Sequence, residues 1–110
     1  MTDVLTLTPA ELAARLARGD DIVLLDVREP HELDICRIEG SIAMPMSEIS
    51  VRHSELDPDK PVVCICHHGI RSAHVAAALA HMDFAAVYNL AGGIDRWAVE
   101  VDPRMARYGR

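Results

Sequence analysis

The chain has 110 residues, half of them hydrophobic and a quarter charged, which predicts one globular domain over 1–110 and excludes the disordered and collagen-like classes. A formal net charge of −6 and only four aromatic side chains argue against nucleic acid or an anionic membrane as a partner. Apolar runs are too short to span a bilayer, and the segment around Asp3 lacks the basic cluster of a signal peptide, so we expect a cytoplasmic protein.

Helical and strand patterns alternate along the sequence, which is typical of an α/β fold with a mainly parallel central sheet flanked by helices on both faces. The first helix has the clearest start, because Thr8 and Glu11 are spaced as a capping box around Pro9. Two unbroken apolar runs indicate strands that are covered on both faces. In chain order the patterns predict a helix over 9–18, a strand over 22–25, a short helix over 29–33, a brief strand at 42–43, a helix cap at Ser47, a turn over 57–61, a strand over 62–65, a helix over 71–82, a strand over 87–89, a turn at 92–93, a helix over 94–99 and a tail with no strong pattern.

Cys66 lies between a predicted buried strand and the longest predicted helix. Ligands of parallel α/β sheets collect at such strand ends, where the unpaired N–H groups and positive dipole of the helix favour anions. Gly69 allows the loop to curl so that its N–H groups point inward, and Arg71 adds a fixed positive charge. Surroundings of this kind stabilise a thiolate. We therefore expect Cys66 to be a nucleophile.

The other cysteines have simpler interpretations. Three cysteines are an odd count, so at least one thiol is free. We expect Cys64 to be a small apolar filler of the core, and Cys36 to be an ordinary surface or core thiol, although a resolving role remains an alternative. Cys64, Cys66, His67 and His68 have side chains that a transition metal accepts, but a cation would compete with the positive loop for the same thiolate. We therefore expect no metal.

Several further polar and aromatic residues also have structural interpretations. Asp26 and Arg28 follow a strand end, where we expect them to pair with each other. Trp97 is expected to anchor the core. His74 and His81, on the longest predicted helix, are expected at the surface.

Four segments of the chain resemble the single-domain rhodaneses, a family of sulfurtransferases that carry a sulfane sulfur as a cysteine persulfide. Arg37 and Glu39 replace the histidine and proline that are usual in this family, and we expect both to be structural. Four residues separate Cys66 from Arg71, as in sulfur-handling members, whereas the related phosphatases have five and thus a loop longer by ~3.3–3.6 Å. The matching segments are 25–29 (Leu-Asp-Val-Arg-Glu), 37–45, 66–72 (Cys-His-His-Gly-Ile-Arg-Ser) and 90–97, with its Gly-Gly pair and Trp97.

The resemblance implies a two-step cycle without a cofactor. Cys66 would take sulfur from thiosulfate or a low-molecular-weight persulfide such as glutathione persulfide, and then pass it to a thiol, cyanide or a protein acceptor, for example a sulfur carrier. Loop amides would cradle the outer sulfur, while Arg71 would neutralise the cradle and orient an anionic donor. An alternative is a carrier or sensor module that holds the persulfide without turnover. The substrate-binding residues implied in this way are His67, His68, Gly69, Ile70 and Arg71.

The two loop histidines could also tune the choice of donor. Histidine ordinarily titrates near pH ~6.5, so protonation of His67 or His68 is expected to favour anionic donors. The alternative is that both rings are merely solvated.

Overall fold

Five short strands form one parallel sheet in the computed structural model, which describes residues 2–109. Met1 and Arg110, the two ends of the predicted domain 1–110, lie outside the described residues. The sheet order is β1-β5-β4-β2-β3, and each neighbouring pair is parallel. The strands are β1 (Val4–Leu7), β2 (Val23–Asp26), β3 (Ile42–Ala43), β4 (Val62–Ile65) and β5 (Val87–Leu90).

Helices connect the strands, and α1 begins at the predicted capping box. The Thr8 amide donates to Glu11 Oε1 at 2.8 Å, and the Glu11 amide donates to Thr8 Oγ1 at 3.1 Å. Ser47 lies inside a 3₁₀ turn (Met46–Glu48) that leads into α3, so the prediction that it caps a helix is wrong. The α-helices are α1 (Pro9–Ala17), α2 (Pro30–Leu33), α3 (Ile49–Arg52), α4 (Ile70–His81) and α5 (Gly93–Glu100).

Helices cover both faces of the sheet, and successive side chains of each strand point to opposite faces. Cys64 on β4 lies in a cluster with Leu79 of α4. The next residue, Ile65, belongs to the cluster on the other face, with Leu12 of α1 and Trp97 of α5. The predicted α/β fold, with helices on both faces, is therefore confirmed, and so are the core positions of Cys64 and Trp97.

The edge strand β1 was not predicted. Three of its four residues are exposed, and it joins the sheet by pairing Val4 with Val87 and Leu7 with Leu90. A four-residue segment without a buried face carries little hydrophobic periodicity, so its strand character depends on main-chain bonds to a distant segment. Across residues 2–109, no helix has the length and apolar character that crossing a membrane requires.

Candidate active site

Cys66 directly follows the last residue of β4 and is 1% exposed. The chain turns back at Gly69, whose φ of +98° lies in the left-handed region that favours glycine. This turn brings the Gly69 amide to 3.1 Å from Cys66 Sγ, to which it donates. Since the first amides of a helix have no partner within it, the amino end of α4 beside this loop is an electropositive place for the sulfur.

A hydroxyl and an amide side chain complete the immediate surroundings of the sulfur. Ser72 Oγ donates to Cys66 Sγ at 3.2 Å and lies 2.5 Å from Asn89 Oδ1, so its one hydrogen has two acceptors. Asn89 Nδ2 also donates to the Gly69 carbonyl at 3.0 Å. Ser72 and Asn89 were not among the predicted site residues, although Ser72 ends the matching segment 66–72 and Asn89 directly precedes the segment 90–97.

The amino end of α5 donates two main-chain hydrogen bonds to the Cys66 loop. The Ile94 amide donates to the Cys66 carbonyl at 2.8 Å, and the Asp95 amide donates to the His67 carbonyl at 3.1 Å. A Cβ on Gly93 would stand 2.5 Å from the Cys66 carbonyl oxygen, which is closer than real contacts allow. Glycine at this position therefore permits the close approach that fixes the loop main chain.

Arg71 pairs with a carboxylate that the sequence analysis missed. Its Nη1 and Nη2 donate to Glu32 Oε1 and Oε2 at 2.7 and 2.8 Å, and Glu32 is buried on the short helix α2. The Arg71 hydrogen bonds lower the pKa of Glu32 from 4.5 to about 2, with help from Tyr108 and the Glu29 amide. Glu32 in turn raises the pKa of Arg71, with a smaller contribution from Cys66. Both terminal nitrogens of Arg71 thus bind Glu32, and the charge of Arg71 is paired.

Arg28 and Asp26 form a fully buried pair, which confirms the predicted structural role. Arg28 Nη2 lies 2.7 Å from Asp26 Oδ2 and also donates to the Cys36 carbonyl at 2.7 Å. Arg28 Nη1 donates to the Tyr108 hydroxyl at 3.0 Å and lies 3.9 Å from Cys36 Sγ. Because a buried charge must be paired, this network fixes the segment between β2 and residue 36. These contacts do not test the alternative resolving role of Cys36.

The two loop histidines have different surroundings. The His67 ring stacks on Tyr108 with centroids 4.0 Å apart and lies 3.8 Å from the His68 ring. Its Nε2 is buried and has no hydrogen-bond partner among residues 2–109. Burial lowers the pKa of His67, as does the neighbouring His68. His68 is exposed, as is Ile70, at 72%. The interpretation that both imidazoles are solvated is therefore wrong for His67.

The remaining candidates are buried in the core or exposed on α4. Cys64 is fully buried, and burial raises the pKa of its thiol to about 12. His74 and His81 are exposed on α4, as predicted. Within the described part of the chain, from residue 2 to residue 109, no group of three or more His, Cys, Asp and Glu side chains is placed to hold a metal ion.

Most of the chain matches a known protein family. Residues 8–100 match the family described as "Rhodanese-like domain". The chain belongs to the rhodanese-like domain family. The resemblance of its four segments is thereby confirmed, and the matched region ends before Tyr108.

Relatives of this rhodanese-like domain include both separate proteins and longer ones. A protein of Allochromatium vinosum named "Sulfurtransferase" is 38% identical over 98 residues, covering 89% of this chain and 92% of that protein. The "Thiosulfate sulfurtransferase GlpE" of Coxiella burnetii is 34% identical, covering 77% and 79% of the two chains. The "Probable adenylyltransferase/sulfurtransferase MoeZ" of Mycobacterium tuberculosis is 38% identical over 94% of this chain, which spans only 27% of that longer protein.

A solved structure supports the fold assignment. The rhodanese-related protein from Thermoplasma volcanium superimposes with a TM-score of 0.80 at 34% sequence identity. The match covers 88% of this chain and 93% of that one. The parallel five-stranded sheet described above is therefore the sheet of a rhodanese-like domain.

Proposed function

We propose that this rhodanese-like domain is a sulfurtransferase that moves a sulfane sulfur through a persulfide on Cys66. The observation that carries the proposal is that the Gly69 amide donates to Cys66 Sγ, and that the Ser72 hydroxyl, whose hydrogen is shared with Asn89, lies within hydrogen-bond distance of the same sulfur. Donors fixed in this way stabilise a thiolate, and equally the anionic outer sulfur of a persulfide. The relatives named sulfurtransferase support a rhodanese-type transferase.

The first half-reaction loads the cysteine. The Cys66 thiolate attacks the sulfane sulfur of thiosulfate, a new S–S bond forms, and the original S–S bond breaks with its electron pair leaving on sulfite. With a low-molecular-weight persulfide such as glutathione persulfide, the same attack releases the donor thiolate. In the second half-reaction a thiol, cyanide or a protein acceptor attacks the outer sulfur, which regenerates the Cys66 thiolate.

Each residue of the loop has a proposed role in this cycle. Gly69 supplies the turn and the amide that faces the sulfur. The buried ring of His67 walls the loop on the Tyr108 side. His68 and Ile70, both exposed, line the approach that donors and acceptors use. Arg71 holds the carboxylate of α2 against the mouth of the loop.

Multiple-turnover transfer from thiosulfate or glutathione persulfide to cyanide, followed as thiocyanate, tests this proposal. The wild type should turn over many times, and Cys66→Ser should be inactive because the carrier atom is lost. Cys64→Ser is the matched control, since Cys64 faces the core on the same strand end and should keep near wild-type activity. Transfer by Cys66→Ser at the wild-type rate would contradict the proposal.

A carrier module that holds the persulfide without turnover is the second candidate. It is favoured by the Mycobacterium tuberculosis relative, in which a region like this chain forms about a quarter of a longer protein whose name also contains an adenylyltransferase. A carrier would pass sulfur to a docked protein, such as a sulfur carrier. Loading of one sulfur without release to small acceptors would favour the carrier over the enzyme.

A further inference from the structure

The charge of Arg71 is matched by a carboxylate at the mouth of the Cys66 loop. Both terminal guanidinium nitrogens bind Glu32, at 2.7 and 2.8 Å, in the two-pronged geometry that is strongest for this pair. The Glu32 side chain is 8% exposed and that of Arg71 is 33% exposed. The guanidinium is therefore the more accessible partner, but a donor that approaches it meets an ion pair instead of a free cation.

Glu32 is held in place by more than Arg71. The Tyr108 hydroxyl donates to Glu32 Oε2 at 2.6 Å, and the Glu29 amide donates to Oε1 at 3.1 Å. Tyr108 is itself fixed by Arg28, which donates to its hydroxyl, and by the stacked ring of His67. Tyr108 lies outside the family match, which ends at residue 100, and its hydroxyl holds the carboxylate that binds Arg71.

Two further arginines near the site are also paired with carboxylates. Arg28 pairs with Asp26, and Arg107 pairs with Asp95 at the start of α5. Burial lowers the pKa of His67, which disfavours a positive charge on its ring. The Gly69 amide and the Ser72 hydroxyl are the donors that face the sulfur and stabilise negative charge there.

We propose that Glu32, held by Tyr108, determines the donor specificity of this site by matching the charge of Arg71, so that loading is biased from thiosulfate, whose reacting group is a dianion, toward persulfides, whose reacting group carries at most one negative charge. The inference rests on the proposed sulfurtransferase function. A dianion that meets the Cys66 thiolate is repelled twice as strongly as a monoanion at the same distance. An Arg71 without a carboxylate partner would offset that repulsion. An Arg71 whose charge is neutralised by Glu32 offsets little of it.

Single-turnover loading of Cys66 with two donors tests this specificity. Thiosulfate and 2-hydroxyethyl persulfide are each mixed with excess protein near neutral pH, and the gain of one sulfur is followed by quenched intact-mass measurement. The readout is the ratio of the thiosulfate rate to the persulfide rate. Dividing the ratio of a variant by that of the wild type removes the intrinsic reactivity of each donor.

Glu32→Gln keeps the shape of the side chain and removes its charge. It should raise this ratio by about tenfold, because one unit charge close to the approaching donor is unmatched. Glu55→Gln is the matched control, since Glu55 is an exposed carboxylate that pairs with Arg52 outside the site, and it should leave the ratio unchanged. A Glu32→Gln ratio equal to that of the control, or lower, would overturn the inference.

Tyr108→Phe provides a second variant if Glu32→Gln does not fold. It keeps the ring on His67 and removes the hydroxyl that holds Glu32, so the ratio should rise in the same direction by a smaller factor. A ratio like that of the control would overturn the role of the tail. Failure of both donors to load the wild type would instead overturn the proposed function, and this inference with it.

Discussion

The free energy of unfolding of the domain should depend on pH through Glu32, and the substitution Glu32→Gln should remove this dependence. Its pKa is depressed from 4.5 to about 2, chiefly by the Arg71 hydrogen bonds, which corresponds to about 3 kcal/mol of folding free energy. A carboxylate with a depressed pKa in the folded state contributes stability that is fully present above its unfolded pKa and is lost as pH falls toward the folded value. About 2 kcal/mol should therefore be lost between neutral pH and about pH 3.

Urea unfolding of the wild type and of Glu32→Gln, measured from about pH 7 to about pH 3, isolates this contribution. Other carboxylates titrate in both proteins, so the free energy of unfolding is compared as a difference at each pH. The wild-type advantage should shrink by about 2 kcal/mol on acidification. Glu55→Gln, which removes an exposed carboxylate, should show a flatter difference because solvent screens its ion pair. A wild-type advantage over Glu32→Gln that does not change with pH would refute the reasoning.

Three further outcomes follow from the contacts around the loop. Gly93→Ala should destabilise the protein by more than about 2 kcal/mol and slow loading, because its Cβ would stand 2.5 Å from the Cys66 carbonyl oxygen at a φ of +63°; an unchanged melting temperature would contradict the close packing. Asn89→Ala should lower the loading rate, because it removes the amide that holds the Gly69 carbonyl and so loosens the turn that directs the Gly69 amide at the sulfur; loading at the wild-type rate would show that this bond does not set the geometry of the loop. Cys64 should resist alkylation in the native protein at mildly alkaline pH and react after unfolding, since burial raises the pKa of its thiol to about 12; rapid native labelling, located by peptide mass, would contradict the burial.

The sequence predicted those parts of the fold that local patterns encode. Two buried strands could be recognised as apolar runs, and α1 by its capping box, because each signal lies within a few consecutive residues. The position of Cys66 between β4 and α4 was predicted on the same basis. The exposed strand β1 was missed because its stability depends on pairing with β5. Pairing with a distant segment produces no recognisable pattern in a sequence of four residues.

The missed site residues are separated from their partners by long stretches of chain. Glu32 lies 39 residues before Arg71, and Tyr108 lies 76 residues after Glu32. A buried glutamate on a helix of four residues resembles any solvated glutamate in sequence, since only the folded chain brings the arginine to it. Tyr108 falls in a tail without periodicity, so its place on His67 could not be predicted. Each of these contacts is made by the fold as a whole, after the local elements have been placed.

The persulfide on Cys66 is tested most directly by intact-mass measurement and peptide mapping after incubation with thiosulfate or glutathione persulfide. The wild type should gain one sulfur, mapped to the peptide that carries Cys66, and the added sulfur should disappear on treatment with cyanide. Cys36→Ser and Cys64→Ser should gain the same sulfur, and Cys66→Ser should gain none. Sulfur retained in Cys66→Ser, or a wild type that gains none from either donor, would contradict the account.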